Sequence, residues 1–184
     1  MRRSDLVPDC GSCAAICCVA TSFEASEDFA FDKPAGVPCR NLTRDRRCAV
    51  HDDLARRGLP GCAVYDCYGA GQRVTRAFSV RGQSPSADTA HDAERNEAFL
   101  ILRVVHELLW QLTEAAKLCP ATRGDVGAAL ALEIEALDAI TRAPAADLFD
   151  VDLGPHRDAA RRLLGHVGAA LGGRRAVRSL VVLD

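Results

Sequence analysis

Apolar residues recur at helical spacing through the second half of this chain, whereas its first 78 residues show little clear periodicity. Ala98, Ile101, Leu102, Val105, Leu108, Leu109, Leu112 and Ala116 fall on one stripe, the pattern of an amphipathic helix. This stripe predicts a long helix over about residues 92–119, capped by Asp92 or Thr89 and ended by Pro120. Val104 and Trp110 widen its apolar face, so the helix is expected to be central. Val126, Leu130, Ile134 and Leu137 predict a second helix over about 124–141, closed by Pro144. A third is expected over about 155–171, where Pro155 suits a first-turn position and Gly172 with Gly173 suits a stop. The N-terminal region has room for a further short helix, and the apolar, β-branched residues 179–183 read as a short strand or an ordered tail.

Residues 79–90 are polar and carry Gly and Pro, the marks of a linker or surface loop. The chain therefore divides into a cysteine-rich module at 1–78 and a helical domain at 91–184. The expected fold is mainly α, with an irregular module packed on a bundle of about three helices. Metal binding is expected to order the module, which has too little periodic apolar sequence to fold well alone. There is no internal repeat and no low-complexity tract.

Composition narrows the function. Hydrophobic residues make up 48%, enough to fill a core, but aromatics are only 5%, so that core is aliphatic. A net charge of -2 argues against a basic nucleic-acid binder. Arg174, Arg175 and Arg178 read as a solvated helix end. Met1, Arg2 and Arg3 are followed by Asp5, Pro8 and Asp9, where an export signal needs an apolar run. No stretch approaches the ~18 apolar residues of a membrane span. The expected location is the cytoplasm, where thiols stay reduced.

Cysteine is the anomaly. Of 9 cysteines, all but Cys119 lie in the first 67 residues: Cys10, Cys13, Cys17, Cys18, Cys39, Cys48, Cys62 and Cys67. Short gaps between thiolates let a tight loop turn two sulfurs toward one ion, in zinc sites and iron–sulfur clusters alike. Gly11, Ser12, Ala14 and Ala15 are small enough for the backbone to wrap closely. Eight thiolates exceed one mononuclear site, so either two four-ligand sites form or some cysteines are structural. Neighbours such as Cys17 and Cys18 point apart in most backbone conformations. His51, three residues after Cys48, is a further candidate ligand. The competing readings are reduced, buried cysteines without chemistry, or disulfides in an exported chain. Cys119 reads as plain core, His106 as a polar flank or core histidine, and His91 as solvated. His156 and His166 stand too far apart to chelate one ion.

The pattern of Cys13, Cys17 and Cys18, then Pro38-Cys39 with Leu42, then Arg47-Cys48 with Val50-His51, then Gly61-Cys62, resembles the bacterial CxxxCC family. That family is described as zinc- or iron-chelating, and some members as iron–sulfur proteins. His51 takes the place of its usual Tyr, and Leu59-Pro60-Gly61 that of its Arg-Pro. Phe29, Phe31, Lys33, Pro34 and Gly36, with Asp66-Cys67 and Gly69 to Gln72, resemble the N-terminal half of actinobacterial proteins. Many of those continue into pentapeptide repeats, which this chain lacks. The resemblance implies a cysteine-based metal site and implies no particular reaction.

Other catalytic signatures are missing. Gly69 to Gln72 lack the Lys-Ser/Thr of a phosphate loop, and the His106-Glu107 segment ends in Trp110 where a second zinc-binding His would stand. Three readings remain. One is an iron–sulfur or iron-binding protein with a redox, sensing or accessory role. Another is a structural zinc module that presents a surface to a protein partner. The third is a thiol-redox or metal-dependent enzyme built on Cys10 with Cys13, or on Cys48 with His51. Oligomeric state is left open by the sequence.

Overall fold

The computed structural model describes residues 3–79, 89–118 and 124–171. It is mainly helical. The helices are α1 (Cys17–Ala20), α2 (Pro60–Val64), α3 (Ala70–Ser79), α4 (Thr89–Leu118), α5 (Asp125–Arg142), α6 (Ala145–Leu148) and α7 (Gly154–Ala170). Single 3-10 turns form at Arg3–Leu6, Cys10–Ser12, His51–Asp53 and Ala55–Arg57. Among the described residues there is no strand, only isolated antiparallel bridges of Phe23 with Lys33 and of Leu42 with Cys48.

The three long helices read from the sequence are α4, α5 and α7, displaced by at most a few residues. Two ends of the expected linker belong to helices instead, since α3 runs to Ser79 and α4 opens at Thr89. The middle of that linker, Cys119, Pro120, the glycine stop, the arginines near the C-terminus and the 179–183 segment lie outside the described residues.

The chain forms two compact units. One is Val7–Arg103, and the other comprises the described residues of Met1–Leu6 and Val104–Asp184. The second is a helical bundle. Leu6, Val105, Leu108, Leu109, Leu112, Ala115, Leu130, Leu137, Ala160, Leu164 and Val167 form its core, with Val126 and Ile134 packed against them. Helices α5 and α7 pack against one another. Pro155 occupies the first turn of α7, where its missing N–H costs nothing. The stripe read on α4 is buried at Ala98, Leu102, Val105, Leu108, Leu109 and Leu112, and Phe99, His106 and Gln111 are buried too. Helix α4 is thus covered on more than one face, which accounts for its polar residues in buried positions.

The unit Val7–Arg103 contains all eight N-terminal cysteines, α1 to α3 and α4 up to Arg103. Its buried apolar residues include Ile16, Val19, Leu59, Val74, Ala98, Phe99 and Leu102. Residues 21–59 hold their shape through turns and aromatic contacts. Phe23 stacks on Phe29 with ring centroids 4.3 Å apart and meets Phe31 edge-on at 5.4 Å. A β-carbon on Gly61 would stand 2.3 Å from the Phe29 ring. Any larger residue there would displace the ring, and α2 starts against this aromatic wall.

Candidate metal centre

The first four cysteines are placed by local capping. Asp9 accepts a hydrogen bond from the Ser12 N–H at 3.2 Å, which closes the turn carrying Cys10. The Ser12 side chain, with the backbone N–H groups of Ser12 and Gly11 adding to it, holds the Asp9 carboxyl below its usual range. Arg47 clamps the same turn by donating to the carbonyls of Cys10 at 2.7 Å and Gly11 at 2.9 Å. Gln72 on α3 ties down the preceding residues: it donates to the Val7 carbonyl at 2.8 Å and accepts from the Asp9 N–H at 3.2 Å. After Cys13, the Ala14 N–H donates to the Thr75 hydroxyl at 3.0 Å. Ala15 then takes a left-handed φ of 49° before α1.

Left-handed backbone recurs beside the other cysteines. Tyr68 (φ 49°) and Gly69 (φ 80°) follow Cys67, and Arg46 (φ 59°) precedes Cys48. Non-glycine residues rarely adopt this region, and where they do so at several loops the strain points to function. Here the bend aims N–H groups at sulfur. Ile16 and Ala15 direct backbone N–H groups at Cys13, and Gly71 and Gly69 at Cys67. N–H groups pointed at sulfur favour the thiolate, the form that binds metal.

Burial acts in the opposite direction and wins. It pushes the thiols of Cys10, Cys13 and Cys67 up, with neighbouring sulfurs adding to the rise. Cys62 is pushed up to about 11, first by burial and then by the sulfurs of Cys17, Cys39 and Cys48. Cys17 is raised by its hydrogen bond with Cys18 and then by burial. Without a cation this cluster is a set of thiols, and a bound cation would reverse the balance.

A cleft of about 290 Å³ is lined by Cys10, Cys13, Cys17, Cys48, Cys67 and His51, with Arg46, Arg47, Gln72 and Phe99. Cys18, Cys39 and Cys62 do not line it. Cys13 and Cys67 meet at α3, where a β-carbon on Gly71 would stand 2.7 Å from the Cys13 sulfur and 3.8 Å from that of Cys67. His51 is exposed, with Nδ1 3.4 Å from Asp52. All eight cysteines are free of disulfides. As the side chains stand, no three His, Cys, Asp or Glu among the described residues form a ready ligand set. The soft donors line one cleft without standing together around a common point.

Lys33 is the residue that sequence reasoning missed. It is 3% exposed, and its ammonium donates to the carbonyls of Val19 at 3.0 Å, Thr21 and Pro34 at 3.2 Å. Burial lowers its pKa, and the nearby Cys39, Cys18, Cys17 and Cys62 act against that. One signal was available: Lys33 and Lys117 are the only lysines in the chain.

No family model matches the chain, and no solved structure matches it. It is 36% identical over 154 residues to the Uncharacterized protein YybG of Bacillus subtilis (strain 168). The match covers 83% of this chain and 54% of that protein, so the chain spans about half the length of the curated relative. Among the described residues no helix is long and apolar enough to cross a membrane.

Proposed function

We propose that this is a metal-binding protein of the CxxxCC type whose cysteine thiolates hold an iron–sulfur cluster or iron, in a redox, sensing or accessory role. The observation that carries the reading is the cleft of about 290 Å³ walled by five cysteines and His51. A single ion with ligands at ~2.3 Å needs far less room. The donor set is soft, as iron–sulfur clusters and zinc require. Cys10, Cys13, Cys48 and Cys67 are the residues that would hold the group, with Cys17 on the same wall. When bound, such a cluster supplies one-electron transfer. The chain supplies the rest: N–H groups aimed at Cys13 and Cys67 stabilise charge on sulfur, Phe99 limits water, and Arg46 and Arg47 line the cleft with positive charge. The role also requires reduced thiols, as in the cytoplasm.

A structural zinc site is the second reading. It is favoured by residues 21–59, which hold turns and isolated bridges in place of regular elements. Regions of that kind draw folding energy from an ion. Anaerobic purification with an absorption spectrum and analysis of iron, sulfide and zinc tests both. Absorbance near ~400 nm with iron and sulfide is the expected result. A colourless protein with stoichiometric zinc moves the conclusion to the structural site. A folded protein that holds neither metal and takes up neither on anaerobic reconstitution overturns both.

A further inference from the structure

We propose that Cys13 and Cys67 are a redox pair, which hydrogen peroxide converts to an intramolecular disulfide that pins the first cysteine loop to α3. The bridge is a modification of the reduced chain and stands independently of the metal reading above. Both sulfurs belong to the wall of the cleft and both residues are partly exposed, so a small oxidant has access to them. Once formed, the bridge takes two soft donors out of that wall.

Both cysteines are fastened to one helix. The Cys67 carbonyl accepts the Ala70 N–H at 2.9 Å, at the start of α3. The Cys13 segment is held to α3 from both sides, at Asp9, whose N–H donates to Gln72 at 3.2 Å, and at Ala14, whose N–H donates to Thr75 at 3.0 Å. The two sulfurs meet at Gly71. The point where a β-carbon would stand on that residue is 2.7 Å from the Cys13 sulfur and 3.8 Å from the Cys67 sulfur. The sulfurs are therefore at most about 6.5 Å apart, the sum of those two distances. A disulfide bond is ~2.05 Å long, and a change of χ1 between staggered wells moves a cysteine sulfur by roughly 3 Å. Rotamer changes of the two side chains are thus of the size needed to close the bond.

Two other pairs compete and are less suited. Cys17 and Cys18 are adjacent within α1, with Cα atoms ~3.8 Å apart, short of the ~4.4–6.8 Å that a relaxed disulfide spans. Cys10 and Cys13 share a turn, in which the Cys13 N–H donates to the Cys10 carbonyl at 3.4 Å. A bridge there would join residues only three positions apart, whereas Cys13 and Cys67 lie 54 positions apart. Cross-linking the longer loop removes more freedom from the unfolded chain, so the folded state holds that bridge more firmly. The chemistry balances with peroxide as the oxidant. One thiolate attacks a peroxide oxygen, the O–O bond breaks, and hydroxide leaves with the electron pair, giving a sulfenic acid. The other thiolate attacks that sulfur, the S–S bond forms, and the S–O bond breaks to release a second hydroxide. With the two thiol protons these become two waters, and each sulfur has lost one electron.

The test treats the full reduced chain, as purified anaerobically, with one equivalent of hydrogen peroxide in native buffer. Samples are quenched over time with N-ethylmaleimide in denaturant and mapped without reduction by tandem mass spectrometry. The expected first product is a monomer lighter by two hydrogens, with Cys13 bonded to Cys67, formed roughly tenfold faster than any other pairing because the fold holds the pair together. In urea that preference should vanish. Cys13→Ser and Cys67→Ser should each abolish the product, and Cys62→Ser should leave it. A different first pair, a bridge between chains, the same preference in urea, or sulfinic acid without a disulfide overturns the proposal. Should a variant not fold, the map of the unaltered chain decides alone. Metal analysis of the same sample keeps the two readings apart, since the redox pair stands or falls on the disulfide map and the thiolate–metal reading on the metal content.

Discussion

The sulfur of Cys13 lies 2.7 Å from the point where a β-carbon on Gly71 would stand. Real β-carbons do not come that close to sulfur, so α3 approaches the cysteine loop only because residue 71 has no side chain. The same helix anchors that loop through Gln72 and through Thr75, whose hydroxyl accepts from Ala14 and donates to the Gly71 carbonyl at 2.8 Å. A short stretch of one helix thus sets the positions of Cys10, Cys13 and Cys67.

Gly71→Ala should therefore be harmful although alanine is the better helix former. Propensity favours alanine by up to ~1 kcal/mol, but overpacking costs ~1–3 kcal/mol, and the clash is with a sulfur that must hold its place. The expected result is a net loss of stability in urea and a metal content below half that of the unaltered chain. Gly165→Ala in α7 is the control, since no atom lies within 4 Å of its β-carbon position. It should be neutral or slightly stabilising. If both variants behave alike, the packing argument at Gly71 is wrong.

Lys33→Met keeps much of the apolar stem and removes the ammonium. Three carbonyls then lose their donor, at ~1 kcal/mol or more each when buried. A loss of ~2–4 kcal/mol is expected in chemical unfolding of the metal-loaded protein. Removing a buried cation can also relieve desolvation. Unchanged or higher stability would therefore mean that no negative charge faces this lysine.

The contrast between Leu108 and Lys33 shows what was legible from sequence. Leu108 belongs to a periodic stripe, so the helix, its buried face and its central position could be read directly, as could α5 and α7. Six of the nine candidate ligands meet in one cleft, but no periodicity reports which six. That choice depends on Gly71, Tyr68 and Ala15, whose roles arise from close approach and left-handed backbone. Neither property has a pattern along the chain. Lys33 is harder still. Lysine is ordinarily solvated, and its burial follows from three carbonyls, one at the end of α1 and two from the loops beyond, that only the fold assembles.

Metal removal should loosen the cysteine-rich unit selectively. The Cys39 N–H bonds Cys18 and the Ala14 N–H bonds Thr75, and both contacts tie loops that carry proposed ligands. Under anaerobic chelation these amides should lose hydrogen-exchange protection by tenfold or more. Amides within α5 and α7 should keep theirs, because the aliphatic core of that bundle contains no cysteine among the described residues. Equal protection with and without metal would show that the ion contributes nothing to this unit's fold.

In the helical unit, His156 Nδ1 lies 2.6 Å from a Glu133 carboxylate oxygen, and both side chains are largely shielded. Glu133 falls between Leu130 and Leu137 on α5, and His156 is four residues before Ala160 on α7, so the contact spans the seam that those core residues fill. A hydrogen bond to a charged partner contributes ~1.5–3 kcal/mol when shielded from water, and its loss leaves a carboxylate in a poorly solvated place. His156→Ala should lower stability by about 1–2 kcal/mol, and Glu133→Gln by less, since an amide oxygen still accepts. A double-mutant cycle in urea should return a coupling energy near ~1 kcal/mol. A coupling of zero would mean that the two side chains contribute through packing alone, and that α5 and α7 are joined only by their aliphatic residues.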